Sequence, residues 1–408
     1  MRNRDASFIY LLLSGASSLC YSMLLTVELV YLIQVVGFNP LQLVLVGTLR
    51  QSASFLFQIP TGVLADMYSR RWAVVLGILL IGTGYFIEGS FPAITIVFAA
   101  QIFWGIGTPL LDGADVAWIT DEIGVEQAGP VFLRAAQIGS LSSLLGIALS
   151  AVLVNIHLNL PLVLGGGLLI VLAILLAFVM PEHHFIPAPR EDRSTLQQMS
   201  HTVRVGIQLV RAQPILLTIL GVVVFSGAFS AGFDQIWNYH LLHNFTFPAL
   251  GGLTSATWFS IIEAGIVLTN FCGTSIIRRC VDTNRQRAVI VALCVMDGLT
   301  VVSVLGFALA GQFTLALIAF FLLTTARGPR QPLEQIWMNQ HLDSRVRATL
   351  FSLRGQVSAF AQIIGGPMLG AIATGESTRT ALIAAGIVLS PTLLLYIRTL
   401  HKNTQFPA

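Results

Sequence analysis

Ten ionisable side chains stand out inside the long apolar runs of this sequence, where charge is costly. Even the mildest insertion scales assign about 2.5–3.5 kcal/mol to one charge at the centre of a membrane helix. Such groups need a partner, water or a function, and an acid in a cavity can take up a proton from one side and release it on the other. The ten are Glu28, Arg50, Asp112, Asp115, Asp234, Glu263, Asp297, Arg327, Arg330 and Arg354.

Asp112, Asp115, Glu28 and Asp234 are acids within the apolar runs that could take part in proton coupling. Because residues three apart on a helix lie on one face, we expect Asp112 and Asp115 to act as a pair. The alternative is that each acid is permanently paired with an arginine and only satisfies its charge. That alternative is favoured for two others, Glu263 and Asp297.

The composition requires a membrane rather than a soluble core to hold these groups. Of the 408 residues, 55% are hydrophobic and 10% are charged, with a mean hydropathy of +0.80. Charged residues make up about 25% of an ordinary soluble domain. Runs of about 20 apolar residues cross a bilayer. They predict an all-α membrane protein with twelve spans, near 8–35, 40–65, 72–90, 93–120, 128–155, 158–180, 213–243, 249–277, 287–309, 312–340, 347–373 and 379–400.

Charge in the gaps between the spans predicts the orientation. Sixteen of the 22 Lys and Arg residues fall in alternate gaps or at the ends, and the other set of gaps carries only Arg379. The positive-inside rule then predicts a multi-pass protein of the cell (inner, cytoplasmic) membrane with both termini in the cytoplasm. The first span is too long for a signal peptide and is expected to be retained. A net charge of +3 predicts no nucleic-acid partner.

One long polar interval divides the chain. We predict an N-terminal bundle of six helices at 1–180, a cytoplasmic linker at 181–212 and a C-terminal bundle of six at 213–408. Apolar residues at helical spacing predict a short surface helix within the linker at 194–212. A faint repeat links the halves, because Trp118 and Trp337 occupy similar places in the fourth and tenth spans. Two such units with a central substrate path are expected of secondary transporters.

Other chemistries find no support in the sequence. The four cysteines lack CxxC spacing, so neither a disulfide framework nor a metal site is predicted. No GxxxxGK[ST] loop is present, nor a nucleophile with its base. We therefore expect no enzyme activity and no cofactor, with energy supplied by an ion gradient.

The loop from Gly62 to Arg71 resembles the signature loop of the major facilitator superfamily. Gly62, Asp66, Arg70 and Arg71 fit that pattern, whereas Met67 replaces a basic residue and Ser69 a glycine. The resemblance implies two six-helix bundles, the major facilitator fold. It also implies a gating role for this loop, because Asp66 would face the start of the eleventh helix and Arg70 would reach Asp121. The start of the eleventh helix, which Asp66 would face, comprises Arg345 to Arg354. The alternative is that Arg70 and Arg71 only determine topology.

Three segments are similar to bacterial drug-efflux (drug:proton antiporter) members: 60–66, 112–118 and 365–370. The resemblance implies a monomeric exporter of small amphipathic or drug-like molecules that exchanges them for protons by alternating access. The first, fourth, seventh and tenth helices line the cavity in that family. The resemblance therefore implies that Asp112 or Asp115, followed by Glu28 and Asp234, couples to protons. The implied lining of the cavity is Arg327, Arg330, Phe229, Phe233 and Trp237. Two alternatives remain: uptake by symport or uniport with the same fold, and a lipid translocator or non-transporting receptor.

Overall fold

The computed structural model describes residues 2–187, 214–248, 253–340 and 344–404, and every regular element in those ranges is an α-helix. The helices before the central interval are α1 (Arg2–Gln34), α2 (Pro40–Met67), α3 (Arg70–Ser90), α4 (Ile94–Leu111), α5 (Ala114–Ile123), α6 (Val125–Leu153) and α7 (Leu160–Val179). Those after it are α8 (Pro214–Asn244), α9 (Ser255–Cys280), α10 (Gln286–Leu309), α11 (Phe313–Arg327), α12 (Arg330–Asn339), α13 (Ser344–Gly375), α14 (Thr378–Leu389) and α15 (Pro391–Thr404).

Within the described ranges, ten helical segments are long and apolar enough to cross a membrane. They match ten of the twelve predicted spans. The second predicted span, α2, is long but carries Arg50 and several glutamines, and the tenth is divided between α11 and α12. The predicted class, an all-α membrane fold, is confirmed. The surface helix predicted at 194–212 lies outside the described residues.

Three of the predicted spans are interrupted: the twelfth between α14 and α15, and the fourth and tenth at matching places in the two halves. Gly113, between α4 and α5, has φ of 81°, a left-handed conformation that glycine adopts without steric cost. Gly328 and Pro329 separate α11 from α12, and Pro329 supplies no N–H to continue the helical ladder. Interrupted spans are typical of substrate and ion sites in secondary transporters.

The break at Gly113 corrects one prediction. Asp112 directly follows α4 as its C-cap residue, whereas Asp115 lies in the first turn of α5. The two acids therefore do not share one face of a continuous helix, as an uninterrupted span over 93–120 predicts. The physical reason is the left-handed glycine between them, which ends one helix before the next begins.

The chain forms two compact units. The first comprises Met1–Phe38, Leu49–Thr195 and Ala249–Glu263, and the second comprises Asn39–Thr48, Leu196–Pro248 and Ala264–Ala408. In the first unit, small residues let helices approach closely, as at Gly77 of α3 against Gly107 of α4.

Gly146 is expected to be required for the packing of α6 on α1. A Cβ atom there would lie 2.3 Å from the carbonyl oxygen of Leu19, so Gly146→Ala forces the two backbones apart. Overpacking of this kind costs about 1–3 kcal/mol, and we expect a lower melting temperature in detergent. Gly129→Ala on the same helix is the control, because its Cβ would meet nothing within 4 Å. Equal melting temperatures for the two variants would contradict the prediction.

Candidate functional site

The second unit contains a cavity of about 290 Å³ among α8, α9 and α11. Its lining combines aromatic rings, one acid, one guanidinium, an amide and a hydroxyl. The lining residues are Phe233, Asp234, Trp237, Ile266, Asn270, Phe320, Thr324, Arg327 and Gly328. Such a mixture of apolar walls and a few polar groups is what small-molecule sites require.

The polar centre of this cavity is the ion pair between Asp234 and Arg327. The guanidinium donates two parallel hydrogen bonds, from Nη1 to Oδ1 at 2.5 Å and from Nη2 to Oδ2 at 3.1 Å. Nη2 also donates to the Ser230 hydroxyl at 3.0 Å. The Arg327 side chain is 26% exposed and that of Asp234 is 47% exposed. The two parallel hydrogen bonds thus fix the orientation of both side chains, and their exposure leaves them accessible to a ligand.

Aromatic rings form the wall behind this pair. The Arg327 guanidinium carbon lies 5.3 Å from the ring centroid of Phe229 and 5.4 Å from that of Phe233, within cation–π range. These two phenylalanines are spaced by one helical turn on α8 and stack at 5.4 Å. Trp237 follows one turn later and packs on Phe320 of α11 at 4.5 Å. The wall therefore continues along a single face of α8.

Four of the predicted cavity and coupling residues meet at this pocket: Asp234, Arg327, Phe233 and Trp237. Phe229 lies beside them under the guanidinium. Asp234 is about 15 Å along α8 from its end at Asn244. This is half the thickness of a typical hydrocarbon core.

The structure places Arg330 away from this pocket, in a buried ionic cluster. Its Nε donates to Asp297 at 2.8 Å, and its Nη2 lies 2.8 Å from Glu334. Arg354 donates to the other oxygen of Glu334 at 2.8 Å. Two acids thus balance two arginines. The charge of Arg330 is already paired here, and Arg330 does not line the pocket around Arg327.

In the first unit, Glu28 is paired with Arg50. The guanidinium also donates to the Gln101 side-chain oxygen, from Nε at 2.8 Å and from Nη2 at 2.6 Å. The Gln101 amide nitrogen in turn donates to Glu88 at 2.7 Å. The alternative of a fixed partner therefore describes Glu28 better than the proton role does.

The other two predicted coupling acids lie at the break between α4 and α5. Asp112 is exposed and has no ion-pair partner in the described part of the chain. Asp115 lies in the first turn of α5. A helix N-terminus stabilises negative charge, so an ionised Asp115 is favoured at this position.

The signature loop is held by Ser69 and Glu182. Ser69 is the N-cap residue of α3: its Oγ accepts from the Trp72 N–H at 3.0 Å and donates to Glu182 at 2.6 Å. The backbone N–H of Arg71 donates to the other Glu182 oxygen at 3.0 Å, and its guanidinium donates to the Ala177 carbonyl. Serine in place of glycine therefore begins the helix with a side-chain cap.

The predicted contact between Arg70 and Asp121 is present as an ion pair. Asp66 is exposed, and a Cβ atom on Gly62 would meet nothing within 4 Å. Arg354 donates to Glu334, as described above. The gating role of these residues remains a prediction, and so does the approach of Asp66 to the eleventh span.

Sequence reasoning missed three residues of these clusters: Glu88, Gln101 and Glu334. Glu88 is an acid within the predicted third span, and the free-energy cost of a charged side chain in lipid could have identified it as a candidate. Glu334 follows Arg330 by one helical turn, which is the spacing of an ion pair. Gln101 is neutral and gave no signal of its own.

Long apolar helices that enclose ion pairs and an aromatic pocket beside an interrupted span define a polytopic membrane transporter. The chain belongs to the Major Facilitator Superfamily, whose family model matches residues 10–366.

Individual relatives agree with this family. The chain is 20% identical over 361 residues to the uncharacterized MFS-type transporter YxaM of Bacillus subtilis (strain 168), covering 87% of this chain and 86% of that protein. It resembles a crystal structure of the nucleoside transporter NupG, with 12% sequence identity and a TM-score of 0.72, covering 98% of this chain and 100% of that one. It also resembles a crystal structure of the peptide transporter POT in complex with sulfate, with 14% identity and a TM-score of 0.73, covering 98% of this chain and 94% of that one. These structures show the shared fold.

Proposed function

We propose that this transporter exports small amphipathic molecules by alternating access in exchange for protons, and that its substrate binds at the pocket around Asp234 and Arg327. The observation that carries the proposal is an accessible ion pair set against an aromatic wall. A substrate's charged group can compete for one member of the pair while its apolar part packs on Phe233 and Trp237.

The size of the cavity supports a small molecule. At about 290 Å³ it lies at the lower end of the range for small-molecule sites, roughly 300–1,000 Å³. The export direction rests on the sequence segments that resemble drug-efflux proteins. Proton exchange is supported by ionisable groups within the apolar helices.

Transport into inverted membrane vesicles tests the proposal. Vesicles with an imposed pH gradient, acidic inside, would be given a panel of amphipathic cations, zwitterions, nucleosides and short peptides. We expect vesicles with the protein to accumulate at least one class and to dissipate the gradient as they do so, whereas vesicles without it do neither. Accumulation only in right-side-out vesicles would indicate uptake by symport. Movement of labelled lipid in proteoliposomes without solute transport would favour the lipid translocator.

The cell membrane location, the cytoplasmic termini and the monomeric state belong to the same proposal. The gating role of the signature loop does too: Arg70 and Asp121 would separate or join as the populations of the two access states change. Labelling of single cysteines introduced in the loops, by a reagent that does not cross the membrane, would test the orientation.

A further inference from the structure

A cluster in the first unit contains more acid than base. It is formed by Glu28 of α1, Arg50 of α2, Glu88 of α3 and Gln101 of α4. Glu88 and Gln101 are each only 1% exposed, and Glu28 is also buried. Four consecutive helices therefore enclose two carboxyl groups and a single guanidinium.

The charge of this cluster is unbalanced unless one acid holds a proton. The titratable groups around Glu88 are Glu28 and Tyr31 of α1, Arg50 of α2 and, on its own helix, Tyr85. Asn159 at the start of α7 contributes only a neutral amide, which donates to the Gly89 carbonyl at 3.1 Å. With both carboxyls ionised, one negative charge would remain uncompensated in a site without water access, which is strongly unfavourable.

The hydrogen bonds indicate which acid is protonated. Both oxygens of Glu28 have partners, because Oε1 pairs with Arg50 and Oε2 accepts from the Tyr85 hydroxyl at 3.3 Å. Glu88 accepts from Gln101 through Oε2, whereas its buried Oε1 has no hydrogen-bond partner among the described residues. Oε2 then acts as the carbonyl oxygen of a neutral acid, and Oε1 carries the proton.

Gln101 connects the two acids through Arg50. Its side-chain oxygen faces the guanidinium and its nitrogen faces Glu88, so the amide dipole lies between the cation and the second carboxyl group. Arg50 also lies over the Trp104 ring at 4.4 Å, which holds the guanidinium close to α4. Gln101 therefore separates Arg50 from Glu88, and Glu88 has no direct ionic partner while Arg50 pairs with Glu28.

We propose that Glu88 is a proton-binding site of this transporter, protonated while the cluster is closed to water and deprotonated when water reaches Glu88 and solvates the additional negative charge. The O–H bond at Oε1 then breaks, the proton passes to water, and the carboxylate is left hydrated and bound to the Gln101 amide, while Arg50 continues to pair with Glu28. Glu88 lies two residues from the end of α3 at Ser90, so the path to water is short. The inference rests on the proposed proton-coupled function and names its proton site.

Glu88→Gln tests this proposal, because the amide mimics a permanently neutral acid. In proteoliposomes we expect the variant to retain counterflow exchange, in which unlabelled substrate inside drives entry of labelled substrate and no net proton movement is needed. Gradient-driven accumulation should fall at least tenfold. Glu376→Gln removes an exposed carboxyl group and is the matched control, with both activities expected at the level of the unaltered protein.

An infrared measurement separates this inference from the proposed function. The purified protein at neutral pH should show the C=O stretch of a protonated carboxyl group, and Glu88→Gln should remove it while Glu376→Gln leaves it. Full accumulation by Glu88→Gln, or an unchanged infrared band, would overturn the inference and leave the transport proposal standing. Failure of the unaltered protein in both transport assays would refute the proposed function, and the infrared band would still decide whether Glu88 is protonated.

Discussion

Glu334→Ala is expected to destabilise the protein by about 3–5 kcal/mol, the usual cost of removing one member of a buried charge pair. Glu334 is buried and forms ion pairs with two arginines, Arg330 and Arg354, both at 2.8 Å. The substitution leaves Arg354 without an acidic partner among the described residues, while Arg330 keeps Asp297. Thermal unfolding in detergent, followed by circular dichroism, measures the loss.

The control for this prediction is Glu376→Ala, which removes an exposed carboxyl group and should change stability little. A second comparison tests the cause. Glu334→Met combined with Arg354→Met removes an acid and a base together, leaves the Arg330–Asp297 pair intact, and should be more stable than Glu334→Met alone. Equal melting temperatures for Glu334→Ala and Glu376→Ala would contradict the prediction, and a double variant less stable than Glu334→Met alone would contradict its explanation.

The membrane spans could be predicted because they depend on composition alone. A run of about 20 apolar residues has few alternatives to a membrane helix, and the structure has helices at all twelve predicted places. The break at Gly113 was missed although Asp-Gly is a turn-forming dipeptide, because the apolar run continues on both sides of it. Hydropathy averaged over a window does not register one residue with a positive φ.

The pairing of charges could not be predicted to the same degree. Asp234 and Arg327 are 93 residues apart, and Arg330 and Asp297 are 33 apart, so only tertiary packing decides which acid meets which arginine. The family resemblance correctly named Arg70 and Asp121 as partners. It gave no means of separating Arg327, which lines the pocket, from Arg330, which lies three residues further on and belongs to the ionic cluster. The interruption at Gly328 and Pro329 redirects the chain between the two.

Asp234→Asn is expected to lower substrate affinity by about 10- to 150-fold, the equivalent of the 1.5–3 kcal/mol that a hydrogen bond to a charged group contributes. The amide retains the size of the side chain but can no longer attract a cationic group or hold Arg327 through two charged hydrogen bonds. Arg327→Lys should also lower affinity, because an ammonium group cannot reproduce the planar, bidentate geometry. Binding is measured with the substrate that the vesicle panel identifies, by equilibrium dialysis on purified protein.

Asp282→Asn provides a matched control. Asp282 also pairs with an arginine, Arg285, at 3.3 Å, and its side chain is 49% exposed, close to the 47% of Asp234. It lies in the turn between α9 and α10, outside the pocket lining. If loss of any accessible ion pair weakened binding, the two variants would behave alike. We expect Asp282→Asn to bind with the affinity of the unaltered protein.

The exchanged pair, Asp234→Arg with Arg327→Asp, distinguishes recognition of the substrate from maintenance of the pocket. The exchange keeps one acid and one base between α8 and α11, so a purely structural pair should work in either orientation. It also moves the cation away from the stacked rings of Phe229 and Phe233 and reverses the field that a charged ligand meets. If the pair recognises substrate, the exchanged protein should fold with near-normal melting temperature and still fail to bind. Recovery of full binding would show instead that the pair only holds α8 and α11 together, and the substrate site would have to be sought elsewhere.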